Sequence, residues 1–146
     1  MLDLGYLALF VGQRINELVL EQMGPYADLR TSHGYVFQHL IEGPRTITEL
    51  AARLDVSQQA ASKSVTELES LGYLTVSLAS DRRAKIVALS PRALAAIEHG
   101  RSVRAKLEAR LAAKFELSRT KALLAEILDD LGGGDAVRGR RVREPR

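Results

Sequence analysis

The 146-residue chain contains no cysteine. That excludes a disulfide framework, a thiolate metal site and a thiol-based redox switch. Histidine is scarce. His33, His39 and His99 are scattered, and His33 and His39 do not have the i, i+4 spacing that sets two imidazoles on one helical face, so no metal site is expected. There is no long apolar run either: Leu4 to Gly12, "LGYLALFVG", falls well short of the roughly 20 residues a membrane span takes. Asp3 stands where a secretory signal would carry positive charge. The expectation is a cytoplasmic protein without membrane contact. No Ser-His-Asp signature, metal cluster or phosphate loop is found, and Gly132-Gly133-Gly134 is not followed by a helical pattern. Hence no enzyme, no catalytic residue and no cofactor are expected.

The length and the 46% apolar, 27% charged composition are those of one globular domain with a modest core. The net charge is +3, and its distribution says more than its size. Residues 135–146 carry five arginines against Asp135 and Glu144, while the rest of the chain is neutral. Within that neutral body, residues 72–110 hold eight Lys or Arg against three acids. A localised basic segment points to a polyanion partner; a solvated helix face plus a disordered tail accounts for the charge equally well.

Apolar periodicity gives the elements. Leu4, Ala8, Val11, Ile15 and Leu18 repeat at helical steps, widened by Leu7, Phe10 and Leu20. A helix so apolar must bury more than one face, and Gly24-Pro25 should end it. A second helix is expected at 32–42, with Val36, Leu40 and Ile41 inward. In "TITELAARLDVSQQAASKSVTELESLGYL", Thr46 and Glu49 form a capping box for a short helix, Ile47 to Leu54. Asp55-Val56 turns the chain, and Ser57 caps a longer helix to about Leu71. Leu50, Ala51 and Leu54 face Ala61, Val65 and Leu68, a helix-turn-helix pattern with a small residue at the crossing, and Gly72 is suited to closing the second helix. Tyr73 to Leu78 and Lys85 to Leu89 then read as strands around the polar loop "ASDRRA". Ser90-Pro91 opens another helix, carrying Leu94, Ile97, Leu107, Leu111 and Phe115. Ser118 starts a last one with Leu123, Leu124, Ile127, Leu128 and Leu131.

A helix-turn-helix followed at once by a hairpin is a winged helix. With the second helix in the major groove of DNA, the hairpin reaches over the backbone toward the minor groove, whose negative potential attracts arginine. Arg82 and Arg83 sit at the tip with Lys85 nearby, and Asp81 is placed to accept hydrogen bonds from Arg83. The helix face left exposed is polar and small: Ser57, Gln58, Gln59, Ser62, Lys63 and Thr66. Gln can pair with adenine, and Lys can reach guanine or phosphate. The acids Glu67 and Glu69 come only toward the end of that helix, in keeping with base reading by its first turns.

These segments, with "DRRAKIVALSPRAL" matching an Asp-x-Arg wing and its Leu-Ser-Pro strand end, resemble the MarR family of bacterial regulators over about residues 4–131. The resemblance implies a mainly α fold with a small β-hairpin wing. Residues 1–42 and 91–131 would form a helical dimerisation frame, 43–90 the winged lobe, and 132–146 a disordered basic tail. It further implies a homodimer on double-stranded DNA with a pseudo-palindromic operator, a repressor role, and release by a small aromatic or anionic effector. Apolar first and last helices independently favour a two-fold contact. The rising strand, "YLTVSLAS", lacks the basic residues many relatives carry there.

An effector pocket between frame and lobe has Tyr6, Phe10, Arg14, His33 and Phe37 as candidate lining, with Arg14 for a carboxylate. The same residues also fit plainer roles, Phe10 and Phe37 as core, Arg14 as surface, His33 as a helix start. The rival function is a winged-helix protein-interaction module. Against it stands the polar recognition face, since protein interfaces favour exposed aromatics and only Tyr73 is near.

Overall fold

Local signals place most of the helix boundaries. In the computed structural model, which describes residues 1–133, the Asp3 carboxylate accepts from the Tyr6 amide and starts α1, Leu4–Glu21. The helix stops short of Gly24-Pro25, which form a 3-10 turn, Gly24–Tyr26. The next helix, α2, covers Thr31–Leu40, so it starts one residue before the expected span of 32–42 and stops two short of its end. Ile41, expected inward, is exposed just beyond it.

The reciprocal Thr46–Glu49 cap opens α3, Ile47–Leu54, and the Ser57 hydroxyl opens α4, Gln58–Ser70. Between them Asp55 adopts a left-handed conformation at φ 55°, one that Asp tolerates better than most residues. The Val56 amide there donates to the Ala51 carbonyl. Leu50, Ala51, Ala61, Val65 and Leu68 are buried at the crossing. At the end of α4, Gly72 takes φ 85°. Its amide donates to Glu69 and that of Tyr73 to Leu68, both at 2.9 Å, the paired bonds of a Schellman closure.

The wing carries one strand more than its hairpin. Besides β2 (Leu74–Leu78) and β3 (Lys85–Leu89), a two-residue β1, Arg45–Thr46, pairs antiparallel with β3, giving the order β1-β3-β2. A segment that short carries no readable period. Val76 faces Val87 in the register. Val87 is fully buried, whereas Leu78 is exposed, so the alternation expected of β2 fades toward the wing tip.

Ser90 caps α5, Pro91–Ala112, with Pro91 in its first turn. The last helix, α6, spans Leu117–Asp130; it starts before Ser118, which lies in its first turn rather than capping it. Leu94 is exposed on α5, and Phe115, expected on the same helix, lies beyond its end and is exposed. The core gathers under the winged lobe, around Leu40, Leu50, Leu68, Tyr73 and Val87. In contrast, α1 buries only Val19 and α6 buries no residue, so the chain leaves both apolar helices uncovered. Among the described residues no helix is long and apolar enough to cross a membrane. The expected basic tail lies, from residue 134 on, outside the described residues.

Candidate nucleic-acid interface

The second helix of the helix-turn-helix is α4, and its core residues Ala61, Val65 and Leu68 leave the opposite face outward. Ser57, Gln58, Gln59, Lys63 and Thr66 are exposed there and Ser62 is half-buried. The Ser57 hydroxyl is committed to the Ala60 amide at 3.0 Å, so this residue offers its backbone position more than a free side chain.

At the wing tip Asp81, Arg82, Arg83 and Lys85 are all exposed. The Ala79 amide donates to the Ala84 carbonyl and the Arg82 amide to that of Ala79, each at 2.8 Å, while Arg82 sits at φ 58°. Asp81 accepts from Arg83, as the sequence suggests, but from its backbone amide at 3.0 Å. The carboxylate therefore shapes the turn and leaves the Arg83 guanidinium unpaired by it.

No sequence pattern points to Arg30. It is 37 positions from Glu67, yet its Nη2 lies 2.6 and 2.7 Å from the two Glu67 carboxylate oxygens. Arg30 thereby borders a groove along α4 with Ser62, Lys63, Thr66, Glu67 and Ser70. Beside it, His33 is buried. The Arg30 amide donates to His33 Nδ1 at 3.0 Å, a cap on α2. Accepting at Nδ1 puts the proton of the neutral ring on Nε2, which is 3.7 Å from Glu67. Burial, reinforced by the Arg30 charge, holds the His33 pKa below the ordinary imidazole value against the pull of Glu67 and Asp28.

A cavity of about 570 Å³ opens between α1, α2 and α5. Met23, Phe37 and Ile97 contribute apolar wall, and Arg30, Arg101 and Arg104 bring three guanidinium groups. Of the five residues expected to line an effector pocket, this cavity includes Phe37. Tyr6 and Phe10 stack with centroids 6.1 Å apart on exposed α1 surface, roughly 21 and 15 Å along the helix from Leu20 at 1.5 Å per residue. Arg14 pairs with Glu17 and Glu21 at 2.9 and 3.3 Å, and His33 serves the α2 cap. Within the single chain the cavity lies at the end of α1, and the 18-residue helix carries Tyr6 and Phe10, in its first turns, away from it.

A sequence model of the MarR family matches residues 27–84, the stretch from the approach to α2 through the helix-turn-helix to the wing tip. Comparison with curated proteins gives no match. Among solved structures, YusO from Bacillus subtilis superposes with a TM-score of 0.71 at 21% identity, covering 86% of this chain and 91% of that one. The apo form of wild-type MarR from E. coli gives 0.68 at 22%, covering 88% and 98%. MepR of S. aureus, in its DNA complex, gives 0.67 at 17%, covering 89% and 99%. The matched segment holds α4 and the Asp81–Arg83 wing motif, and the chain shares the fold of these MarR and MepR structures while matching the MarR family model over residues 27–84.

Proposed function

We infer that this chain is a DNA-binding transcription regulator acting as a homodimer, with α4 in the major groove and the wing tip at the minor groove. The observation that carries the reading is one lobe in which an outward polar face, Gln58, Gln59, Lys63 and Thr66, is followed by a hairpin tipped with two exposed arginines. MepR, of the same fold, is a DNA-bound protein. Residues 43–90 form the lobe that meets DNA, and 1–42 with 91–131 the frame. Ser57 and Ser62 bring the helix close, Gln58, Gln59 and Lys63 read base edges, and Arg82, Arg83 and Lys85 meet phosphates and the minor groove.

The frame dimerises through its uncovered helices. Leu7, Phe10 and Val11 of α1 and Leu124, Ile127 and Leu128 of α6 are exposed in the single chain, and a two-fold contact buries both sets at once. The regulator is a repressor, and the arginine-bearing cavity receives a small aromatic anion that releases it. Guanidinium groups around an apolar wall suit a flat ring carrying a carboxylate.

The test is an anisotropy titration of the protein with DNA from its own upstream region and with scrambled DNA, at two salt concentrations. Salt-sensitive, selective binding by two protomers per site is expected. Equal affinity for both DNAs would replace the regulator with a nonspecific architectural protein. No binding at either salt would overturn the reading in favour of a protein-interaction module.

A further inference from the structure

Among the described residues, Arg30 is shared by two linings, that of the cavity and that of the groove along α4. Its backbone is fixed, since its amide caps α2 through His33. Its side chain is not. The guanidinium reaches Glu67 through one nitrogen, Nη2, rather than by a two-pronged pair, and the two side chains remain 63% and 40% exposed. Ion pairs so open to water are held weakly. Inside the cavity the balance differs. Among the described residues, Arg104 pairs with the neutral amide of Asn16, and Arg101 approaches Glu98 at 3.8 Å. A carboxylate entering there meets three guanidinium groups, Arg30, Arg101 and Arg104, beside the apolar wall of Met23 and Phe37, and their attractions add on one anion.

We propose that Arg30 is the switch residue between the cavity and α4: an aromatic carboxylate in the cavity competes with Glu67 for the Arg30 guanidinium, and its capture leaves Glu67 uncompensated on the DNA-facing helix. This rests on the effector-responsive reading above and adds its route. Glu67 stands one helical turn after Lys63 and next to Thr66, both on the groove with Arg30. With the pair intact, the Glu67 charge is neutralised where phosphates approach. With the pair broken, a bare carboxylate faces them and repels. The response needs a side-chain exchange and no large movement of the lobe. By linkage, DNA and the carboxylate oppose each other's binding to the same degree.

The probe is 1-naphthoate, followed by its own fluorescence, with the uncharged 1-naphthalenemethanol as control. Upstream-region DNA affinity is measured by anisotropy with and without each compound, on the full chain and on Arg30→Gln and Glu67→Gln, each first checked by circular dichroism. Saturating naphthoate should lower wild-type DNA affinity about fivefold or more, and the alcohol should not. Glu67→Gln should bind naphthoate more tightly, because the competing charge is gone, and should lose the DNA response. Arg30→Gln should still take naphthoate through Arg101 and Arg104, less tightly and without the DNA response. If folded Glu67→Gln binds naphthoate as the wild type does and still releases DNA, the switch is overturned while the effector reading stands. If naphthoate shows no saturable binding to the wild type, the effector reading fails and takes the switch with it.

Discussion

The Tyr73 hydroxyl donates a hydrogen bond to the Asp28 carboxylate, joining residues 45 positions apart. Tyr73 is fully buried at the foot of the wing, and the Arg92 guanidinium lies 4.3 Å from its ring centroid. Arg92 also donates to the carbonyls of Leu71 and Pro25 and to Asp28. The segment before α2, the end of α4 and the start of α5 are thus tied at one point.

Replacing Tyr73 with Phe keeps the ring and removes the bond. The cost should be about 1 kcal/mol in urea unfolding, the net worth of one such hydrogen bond. Burial, then the bond to Asp28, pushes the hydroxyl from 10.0 up to about 12. The unfolded chain therefore loses this proton first as pH rises. The contribution is complete below pH 10 and is lost as pH climbs toward 12. The wild type should lose stability across that interval more steeply than Tyr73→Phe; parallel curves would remove Tyr73 from the account.

His33 works in the opposite direction. Its folded pKa lies below the ordinary imidazole value of 6.5, so the unfolded chain takes up the proton first as pH falls. The His33 contribution is complete above about pH 6.5 and is lost as pH drops through the folded value. Thermal melts between pH 7 and 5 should show the wild type falling faster than His33→Gln. Protonation at Nδ1 would also remove the cap on Arg30, so the titrating imidazole should shift the Arg30 amide resonance in NMR.

Arg83→Ala should weaken DNA binding and flatten its salt dependence by about one unit of logarithmic slope. The substitution is a clean probe of charge, because Asp81 holds the backbone amide of residue 83 and not its side chain. Asp81→Ala should weaken binding by loosening the turn, while Asp81→Asn, which keeps the acceptor, should not. An unchanged slope in Arg83→Ala would take the wing off the DNA.

Leu124 and Leu128 occupy one face of α6, a turn apart, and both are exposed. Glutamate at both positions should convert the protein to a monomer in analytical ultracentrifugation while its helical circular dichroism persists. It should also lower operator affinity at least tenfold, through loss of the second lobe. A dimer that survives the double substitution would locate the contact elsewhere.

The sequence by itself determined the elements whose information is local. The Thr46–Glu49 cap, the Ser57 and Ser90 caps, Pro91 and the Gly72 closure act within a few residues, so α3, β3 and the start of α5 fall where spacing predicts them. The polar face of α4 follows in the same way, because Ala61, Val65 and Leu68 fix which side is inward. Tertiary structure decided what depends on distant partners. β1 exists because Arg45–Thr46 finds the free edge of β3, and no periodicity fits in two residues. Arg30 meets Glu67, and Asp28 meets Tyr73, only after α2 and α5 have packed on the winged lobe. The cavity sits at the end of α1 for a geometric reason. An α-helix is a rod that advances about 1.5 Å per residue, so the side chains beside the lobe are those of its last turns, which amphipathic pattern alone cannot tell from its first.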